Sequence, residues 1–197
     1  MQIYIIEALF EEYNRTKRLI STLKRGLENA GITVVMADLP GMGESLIDIA
    51  SVRLADWHET IAQACARNRP DLIASFRGGA LLDNAAFDIP KWRFSPETGA
   101  RIVRDLRRAQ LASPSGETAL YAGHALSDAF LSEIEGLSVS TPSTATRTVR
   151  LNNDLAQADH RVLGTPLWRR AEPGEDKALA AALVTDLTLW ARQCAVS

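Results

Sequence analysis

Leu72-Ile-Ala-Ser-Phe-Arg-Gly-Gly-Ala-Leu-Leu82 is an apolar run interrupted by one arginine and a glycine pair. The pattern predicts a buried strand over residues 72–75, a sharp turn and a short helix to Ala86. Ser75 and Gly79 lie two positions on either side of Arg77, and a small-x-nucleophile-x-small sequence is typical of the nucleophile elbow. In that motif a strained turn presents the central residue, and small flanking residues let strand and helix approach. Because arginine stays protonated at ordinary pH, the stretch predicts the geometry of an elbow without its nucleophile.

Strands and helices alternate on both sides of this turn. Continuous apolar runs predict further strands over residues 2–6, 32–37, 87–94, 120–122 and 148–151. Helical spacing of apolar residues predicts helices from a cap at Asn14 to Gly31 and over residues 52–67, 97–112, 127–135 and 176–193. This alternation indicates an α/β fold in which a mostly parallel central sheet carries helices on both faces. We expect one domain over residues 1–197, with a minimal lid or none.

The composition excludes several classes of protein. The chain has 197 residues, 46% of them hydrophobic, and a formal net charge of −2, which argues against a broad nucleic-acid surface. Only two cysteines occur, Cys65 and Cys194, so a reducing, cytoplasmic location is expected. No apolar run approaches the roughly 20 residues of a membrane span. Histidines at metal-ligand spacing are absent, and we predict neither a metal nor a cofactor.

A second loop supports the interpretation of the elbow. Asp38-Leu-Pro-Gly-Met-Gly-Glu-Ser45 follows an early predicted strand and has the form Asp-x-x-Gly-x-Gly-x-Ser. A phosphate-binding loop fits less well, because the Walker spacing and its lysine are absent. α/β-Hydrolases carry a loop of this form after the strand that precedes the elbow unit. Together the two loops predict an α/β-hydrolase-like fold.

With these loops in place, the chain resembles the exosortase A system-associated hydrolase 2 family, a branch of the α/β-hydrolase superfamily. The similar stretches, which run from Leu9 to Trp168, are Leu9-Phe-Glu-Glu-Tyr-Asn14 with Lys17-Arg18, the 38–45 loop, Ser75-Phe-Arg-Gly-Gly-Ala-Leu-Leu82, Tyr121-Ala-Gly-His-Ala-Leu-Ser127 and Gly164-Thr-Pro-Leu-Trp168. That family's turn also carries arginine at the elbow. The resemblance implies an α/β-hydrolase fold and a link to exopolysaccharide production and to protein sorting at the envelope. It implies no particular substrate.

Catalysis without the elbow residue would need other side chains. In this fold the nucleophile, acid and histidine follow one another in chain order. His160 lies nearest the usual place of the histidine and has Asp159 beside it, whereas His124 follows a short predicted strand and is a candidate for lining the pocket. Ser45 is a serine close to the expected pocket. These four residues are the candidates for an atypical ester or thioester hydrolase.

A buried arginine at the elbow needs an anion. The short helix after the turn begins with free N–H groups that carry partial positive charge, so Arg77 is unfavourable there without one. Glu11 and Glu12 follow the first strand, and we predict an ion pair between one of them and Arg77. The alternative is an anionic ligand held by Arg77 and by the backbone of Gly78 and Gly79. The predicted pocket consists of Glu11, Glu12, Asn14, Arg77, Gly78 and Gly79.

Two classes of function therefore stay open. The first is a non-catalytic binding or accessory protein that recognises a small anionic ligand or a protein partner. The second is the atypical hydrolase. Arg101, Arg104, Arg107 and Arg108 share one broad face of a predicted helix, which is either a solvated surface or a docking face for an anionic partner. We also expect the pocket to be either shallow or roofed by this helix. The oligomeric state is not predicted.

Overall fold

A computed structural model describes residues 1–86, 88–112, 120–141 and 144–195 of the chain. Within these ranges the centre is a six-stranded sheet with the order β2-β1-β3-β4-β5-β6. Every neighbouring pair of strands is parallel. The strands are β1 (Gln2–Ile6), β2 (Thr33–Met36), β3 (Leu72–Phe76), β4 (Lys91–Phe94), β5 (Thr146–Leu151) and β6 (His160–Val162). The predicted parallel α/β architecture is confirmed.

Helices cover both faces of this sheet. They are α1 (Glu11–Asn29), α2 (Leu54–Asn68), α3 (Gly99–Ala112), α4 (Asp128–Glu135) and α5 (Lys177–Cys194). Successive residues of β1 point to opposite faces, as a strand requires. Ile3 and Ile5 pack with α1 and α5 in one core cluster, and Tyr4 and Ile6 pack with α2, α3 and α4 in the other. Burial on both faces explains why the central strands are continuously apolar.

Several predicted elements differ from the structure. Helix α1 begins at Glu11, so Asn14 lies inside the helix and the prediction that it is the cap was wrong. The segment after the elbow is two short 3-10 helices, Arg77–Leu81 and Asp83–Ala85, instead of one helix. β4 begins at Lys91, four residues after the predicted start of that strand, and Phe87 lies outside the described residues.

The predicted strand over residues 120–122 was also wrong. Tyr121 and His124 form an isolated antiparallel bridge across a turn. Ala122 and Gly123 in that turn have φ values of 51° and 87°. β6 was missed in the sequence because its three residues are two exposed polar side chains and one valine, which give no apolar run. None of the helices in the described ranges is both long and apolar enough to cross a membrane.

Candidate functional site

The elbow predicted at Arg77 is present. β3 ends at Phe76, and Arg77 follows with φ of 52°, in the left-handed region that side-chain-bearing residues rarely adopt. A Cβ at Gly79 would lie 2.3 Å from the carbonyl oxygen of Glu7. Only glycine therefore allows this close approach between the turn and the end of β1. The structure thus has the backbone of a nucleophile elbow with arginine at its centre.

Backbone strain is concentrated around this elbow. Phe10 follows β1 with φ of 55°, and Ser95 follows β4 with φ of 44°. With Arg77, three non-glycine residues at the carboxyl ends of three adjacent strands adopt the left-handed conformation. Each such residue costs on the order of 1 kcal/mol or more and persists where the surrounding structure imposes it, which happens most often at functional sites. The strain marks this edge of the sheet as the candidate site.

The guanidinium of Arg77 is almost completely paired. Its Nε and Nη2 donate to the two carboxylate oxygens of Glu12, at 3.0 Å each. Nη2 also donates to Glu97 at 3.3 Å, and Nη1 donates to the carbonyl oxygen of Ser95 at 2.8 Å. The ring of Trp168 stacks on the guanidinium, with 4.3 Å between Cζ and the ring centroid. The predicted ion pair with the first strand-to-helix segment is confirmed for Glu12, whereas Glu11 pairs with Arg15.

These contacts make Arg77 a structural clasp. Its side chain is 8% exposed, and two carboxylates, a carbonyl and an aromatic face surround its single positive charge. Buried arginines are tolerated only with such partners, because desolvation of an unpaired charge costs several kcal/mol. The clasp joins the start of α1, the elbow, the segment after β4 and the segment after β6.

A cleft of about 480 Å³ opens beside the clasp. Its walls come from the start of α1, the elbow, the α3 helix, the 121–124 turn and the short helix Leu167–Arg169. Helix α3 forms one wall, as expected for the predicted roof. The lining residues are Leu9, Phe10, Glu11, Glu12, Arg15, Arg77, Glu97, Arg101, Ile102, Asp105, Leu106, Ala109, Ala122, Trp168 and Arg169.

The predicted pocket residues divide into two groups. Glu11, Glu12 and Arg77 line the cleft. Asn14 is exposed on α1 and does not line it, and neither do Gly78 and Gly79. The two glycines are buried, and a Cβ at Gly78 would lie 2.7 Å from Ile102. The five-residue 3-10 helix that contains them offers no extended helix N-terminus to an anion.

The candidate histidines lie in different places. His124 is beside the cleft, where its ring packs edge-on against Phe10 with 5.8 Å between centroids. Burial lowers the pKa of His124, and the charge of Glu11 opposes that shift only partly. His160 is the first residue of β6, at the amino edge of the sheet and opposite the elbow. Its Nε2 lies 3.8 Å from Oδ2 of Asp186.

Ser45 and Asp159 have local structural contacts. The Ser45 hydroxyl accepts hydrogen bonds from the backbone N–H groups of Gly41 and Ile47. The carboxylate of Asp159 accepts a hydrogen bond from the N–H of Thr148 at 2.7 Å. Ser45 follows β2 and His160 begins β6, which are the two outer strands of the sheet. Five strand spacings separate these edges, about 24 Å, so the structure does not bring Ser45 and His160 together.

In this fold the acid and the histidine of a catalytic triad lie in the loops that follow the strands equivalent to β5 and β6. In this chain other residues occupy those two loops. After β5, Asp154 pairs with Arg150 at 2.7 Å. After β6, the segment 163–166 contains no histidine and leads to Trp168, which covers Arg77. Glu97, Ser95 and Trp168 were missed as site residues in the sequence. Their position directly after parallel strands was a usable signal, because the carboxyl ends of such strands meet at one edge.

A second group of titratable residues lies at the same edge, between α1 and the 38–44 segment. Here, in what we call the Glu7 pocket, Glu7, Tyr13, Lys17, Asp38 and Glu44 line a depression of about 340 Å³. Burial, and then the charge of Asp38, raise the pKa of Glu7 to about 7, although Lys17 opposes the shift. Burial and the neighbouring carboxylates raise the pKa of Tyr13 to about 12. No group of metal-ligating side chains occurs among the described residues.

No protein-family model matches this sequence, and no curated protein matches it. Solved structures with the same architecture do. Est1E from Butyrivibrio proteoclasticus, solved with ferulic acid bound, has a TM-score of 0.64 and 18% identity, covering 98% of this chain and 89% of that one. Tomato methylketone synthase I, an H243A variant complexed with beta-ketoheptanoate, has a TM-score of 0.63 and 13% identity over 98% and 97% of the two chains. Mouse alpha/beta hydrolase domain-containing protein 10 has a TM-score of 0.62 and 12% identity over 98% and 90%. The chain has the α/β-hydrolase fold.

Proposed function

We propose that this chain is a non-catalytic binding or accessory protein built on the α/β-hydrolase fold. The observation that carries the proposal is the clasp at the elbow, where Arg77 is held by Glu12, Glu97, Ser95 and Trp168. A residue that stays protonated and is almost completely paired can neither attack a carbonyl nor accept a proton. The nucleophile position therefore supports the structure of the site and leaves the adjoining cleft for binding.

The other triad positions support the same conclusion. The loop after β6 carries Trp168 near the elbow, and the acidic residue after β5 is engaged by Arg150. A hydrolase of this fold needs a base that is oriented towards its nucleophile. Here the aromatic ring that covers Arg77 fills the space beside the elbow that such a base would need.

The atypical hydrolase is the less favoured function. His160 is tied to Asp186 at the opposite edge of the sheet, and Ser45 is bound within its own loop. His124 is beside the cleft, but its ring contact is the apolar face of Phe10. The fold itself does not decide the reaction, since the bottromycin epimerase BotH shares it at a TM-score of 0.54 and 13% identity.

The biological setting rests on the sequence resemblance described above. We place the protein in the exosortase-linked system of exopolysaccharide production and envelope protein sorting, acting as one domain in the cytoplasm. The occupant of the cleft is then a small ligand or a segment of a partner protein from that system. Two structural neighbours were solved with a small carboxylic acid bound, ferulic acid in one and beta-ketoheptanoate in the other.

An ester-cleavage assay tests the proposal. The purified wild type is incubated with p-nitrophenyl esters of increasing acyl length and with an acyl thioester. The variants His124→Gln and His58→Gln are assayed in parallel. His58 lies on α2 away from the cleft and serves as the matched control. We expect no turnover above the buffer rate from any of the three proteins. Turnover by the wild type that His124→Gln abolishes and His58→Gln preserves would overturn the proposal in favour of the hydrolase.

A further inference from the structure

The charges around the cleft are paired unequally. Each carboxylate that lines the cleft lies within ion-pair distance of an arginine. Glu12 and Glu97 are held by Arg77, and Glu11 is 3.5 Å from Arg15. Asp105 lies 3.6 Å from Arg104 and 3.8 Å from Arg108. The negative groups of the cleft are therefore already compensated by the protein itself.

The arginines of the cleft are less completely paired. The guanidinium of Arg169 has no hydrogen bond or ion pair with any residue in the described ranges, although Arg169 lines the cleft and is exposed. Arg101 lies 3.3 Å from Glu97, measured from its Nε, and its side chain is 46% exposed. Arg169 directly follows Trp168, whose stacking on Arg77 fixes the backbone beside it. The rim thus presents the positive charge of Arg169, which pairs with no residue in the described ranges.

The cleft also has an apolar surface, part of which lies on the same helix as Arg101. Ile102, Leu106 and Ala109 face the cleft from successive turns of α3, at the i, i+4 and i+7 spacing that places residues on one side of a helix. Leu9 and Phe10 continue the apolar surface from the end of β1, and Ala122 adds to it from the turn. An occupant that matches both surfaces has an apolar body and an anionic group.

We propose that the cleft binds a small amphipathic anion, a carboxylate or phosphate that carries an alkyl or aromatic body. The anionic group pairs with Arg169 and with the half-exposed Arg101, and the apolar body lies against Ile102, Leu106 and Ala109. This inference rests on the proposed binding function and names its ligand class. Arg77 is not the anion's partner, because four of its five N–H donors are engaged by Glu12, Glu97 and Ser95.

Calorimetric titration of the purified full chain with three probes tests the ligand class. Sodium octanoate carries both features, sodium acetate carries the anion alone, and octyltrimethylammonium carries a similar alkyl chain with the opposite charge. We expect octanoate to bind about a hundredfold more tightly than acetate, because the cleft buries several methylene groups. Octyltrimethylammonium binding as tightly as octanoate would overturn the assignment of an anion. Acetate binding as tightly as octanoate would overturn the assignment of an apolar body.

Two variants locate the ligand. Arg169→Ala removes the unpaired charge, and Arg170→Ala is the control, since Arg170 is adjacent, exposed and outside the cleft lining. We expect Arg169→Ala to raise the octanoate Kd about tenfold and Arg170→Ala to leave it unchanged. Ala109→Trp fills the cleft and is expected to abolish binding at an unchanged Tm. Equal affinity of Arg169→Ala and Arg170→Ala, or of Ala109→Trp and the wild type, would place the ligand elsewhere.

Combined with the ester assay, the titration distinguishes failure of the ligand class from failure of the binding function. Octanoate binding without ester turnover supports both the binding function and its ligand class. Absence of octanoate binding, again without turnover, overturns the ligand class alone. Hydrolysis of p-nitrophenyl octanoate by the wild type overturns the binding function itself.

Discussion

Two clefts at the carboxyl edge of the sheet neutralise their buried carboxylates in different ways. In the cleft beside the elbow, Glu12 and Glu97 share the permanent charge of Arg77, and Arg101 brings a second one to Glu97. In the Glu7 pocket, Glu7 faces Asp38 with Lys17 as the opposing charge, and burial raises its pKa to about 7. In the first site the negative charge is balanced by the arginine guanidinium, whereas in the second site the carboxyl of Glu7 avoids the charge by retaining its proton. The elbow cleft should therefore keep its structure across neutral pH, and the Glu7 pocket should respond to it.

The largest expected effect on stability comes from removing the positive charge of Arg77 beside the elbow cleft. Arg77→Met leaves the carboxylates of Glu12 and Glu97 without their main partner. We expect the free energy of unfolding to fall by about 3 kcal/mol, since breaking a buried ion pair strands the remaining charge. Urea denaturation measures this change. Arg101→Met is the control: it pairs with the same Glu97 but is half exposed, and it should cost less than about 1 kcal/mol. Equal losses of stability for the two variants would show that the buried Arg77 contributes no more than the half-exposed Arg101.

The next largest effect is a pH dependence of stability, which tests whether Glu7 retains its proton in the Glu7 pocket. Glu7 has a folded pKa of about 7, above its ordinary value of 4.5. Between these values the folded protein holds a proton that the unfolded chain has released, so this contribution to stability is complete below about 4.5 and is lost as pH rises through about 7. A pKa moved from 4.5 to about 7 corresponds to about 3 kcal/mol, and because Glu7 is only partly buried we expect the free energy of unfolding to fall by about 2 kcal/mol over this window. Glu7→Gln should flatten that slope, as urea titrations at several pH values would reveal. An unchanged slope would contradict the retained proton.

A smaller effect concerns backbone strain at the elbow. Arg77 has φ of 52°, a conformation that is unstrained for glycine and strained for alanine. Arg77→Gly and Arg77→Ala both lose the clasp, and we expect the glycine variant to be the more stable by about 1 kcal/mol. At Arg93, inside β4, the order should reverse, because glycine weakens a strand. The four midpoints of chemical denaturation provide the test. The same order at both positions would argue against strain at Arg77.

The smallest effect is expected at Ser45, in the segment beside the Glu7 pocket. Its hydroxyl accepts hydrogen bonds from Gly41 and Ile47 and contacts no candidate base among the described side chains. Ser45→Ala should lower the free energy of unfolding by about 1 kcal/mol, the contribution of an ordinary hydrogen bond. Octanoate affinity in the elbow cleft should be unchanged, because the substitution lies outside that cleft. A loss of octanoate affinity would link the two sites.

The fold was predictable where its causes are local. Ser75 and Gly79 flank Arg77 in the sequence, and the close approach that they permit is a property of that short segment. An ion pair of Arg77 with Glu11 or Glu12 could be predicted, because both follow a parallel strand whose carboxyl end meets the elbow, but the choice between them could not. In contrast, β6 gains its strand conformation by pairing with β5, and its own three residues carry no strand pattern.

The rest of the site depends on contacts between residues distant in the sequence. Glu97 and Trp168 reach Arg77 from segments that lie 20 and 91 positions further along the chain. Nothing in their own neighbourhoods marks them as partners of an arginine. His160 shows the opposite error: its position before the last helix favoured a site role, but pairing of β6 places it at the amino edge. The pKa of Glu7 likewise depends on tertiary burial beside Asp38.

Reaction with a fluorophosphonate tests the central claim, that Arg77 has replaced the nucleophile, most directly. The folded protein is exposed to the reagent beside an active serine esterase, and intact mass spectrometry with peptide mapping then detects any covalent adduct. We predict no adduct on this protein under conditions that label the esterase completely. A stoichiometric adduct on a single serine would contradict the claim and would identify the nucleophile.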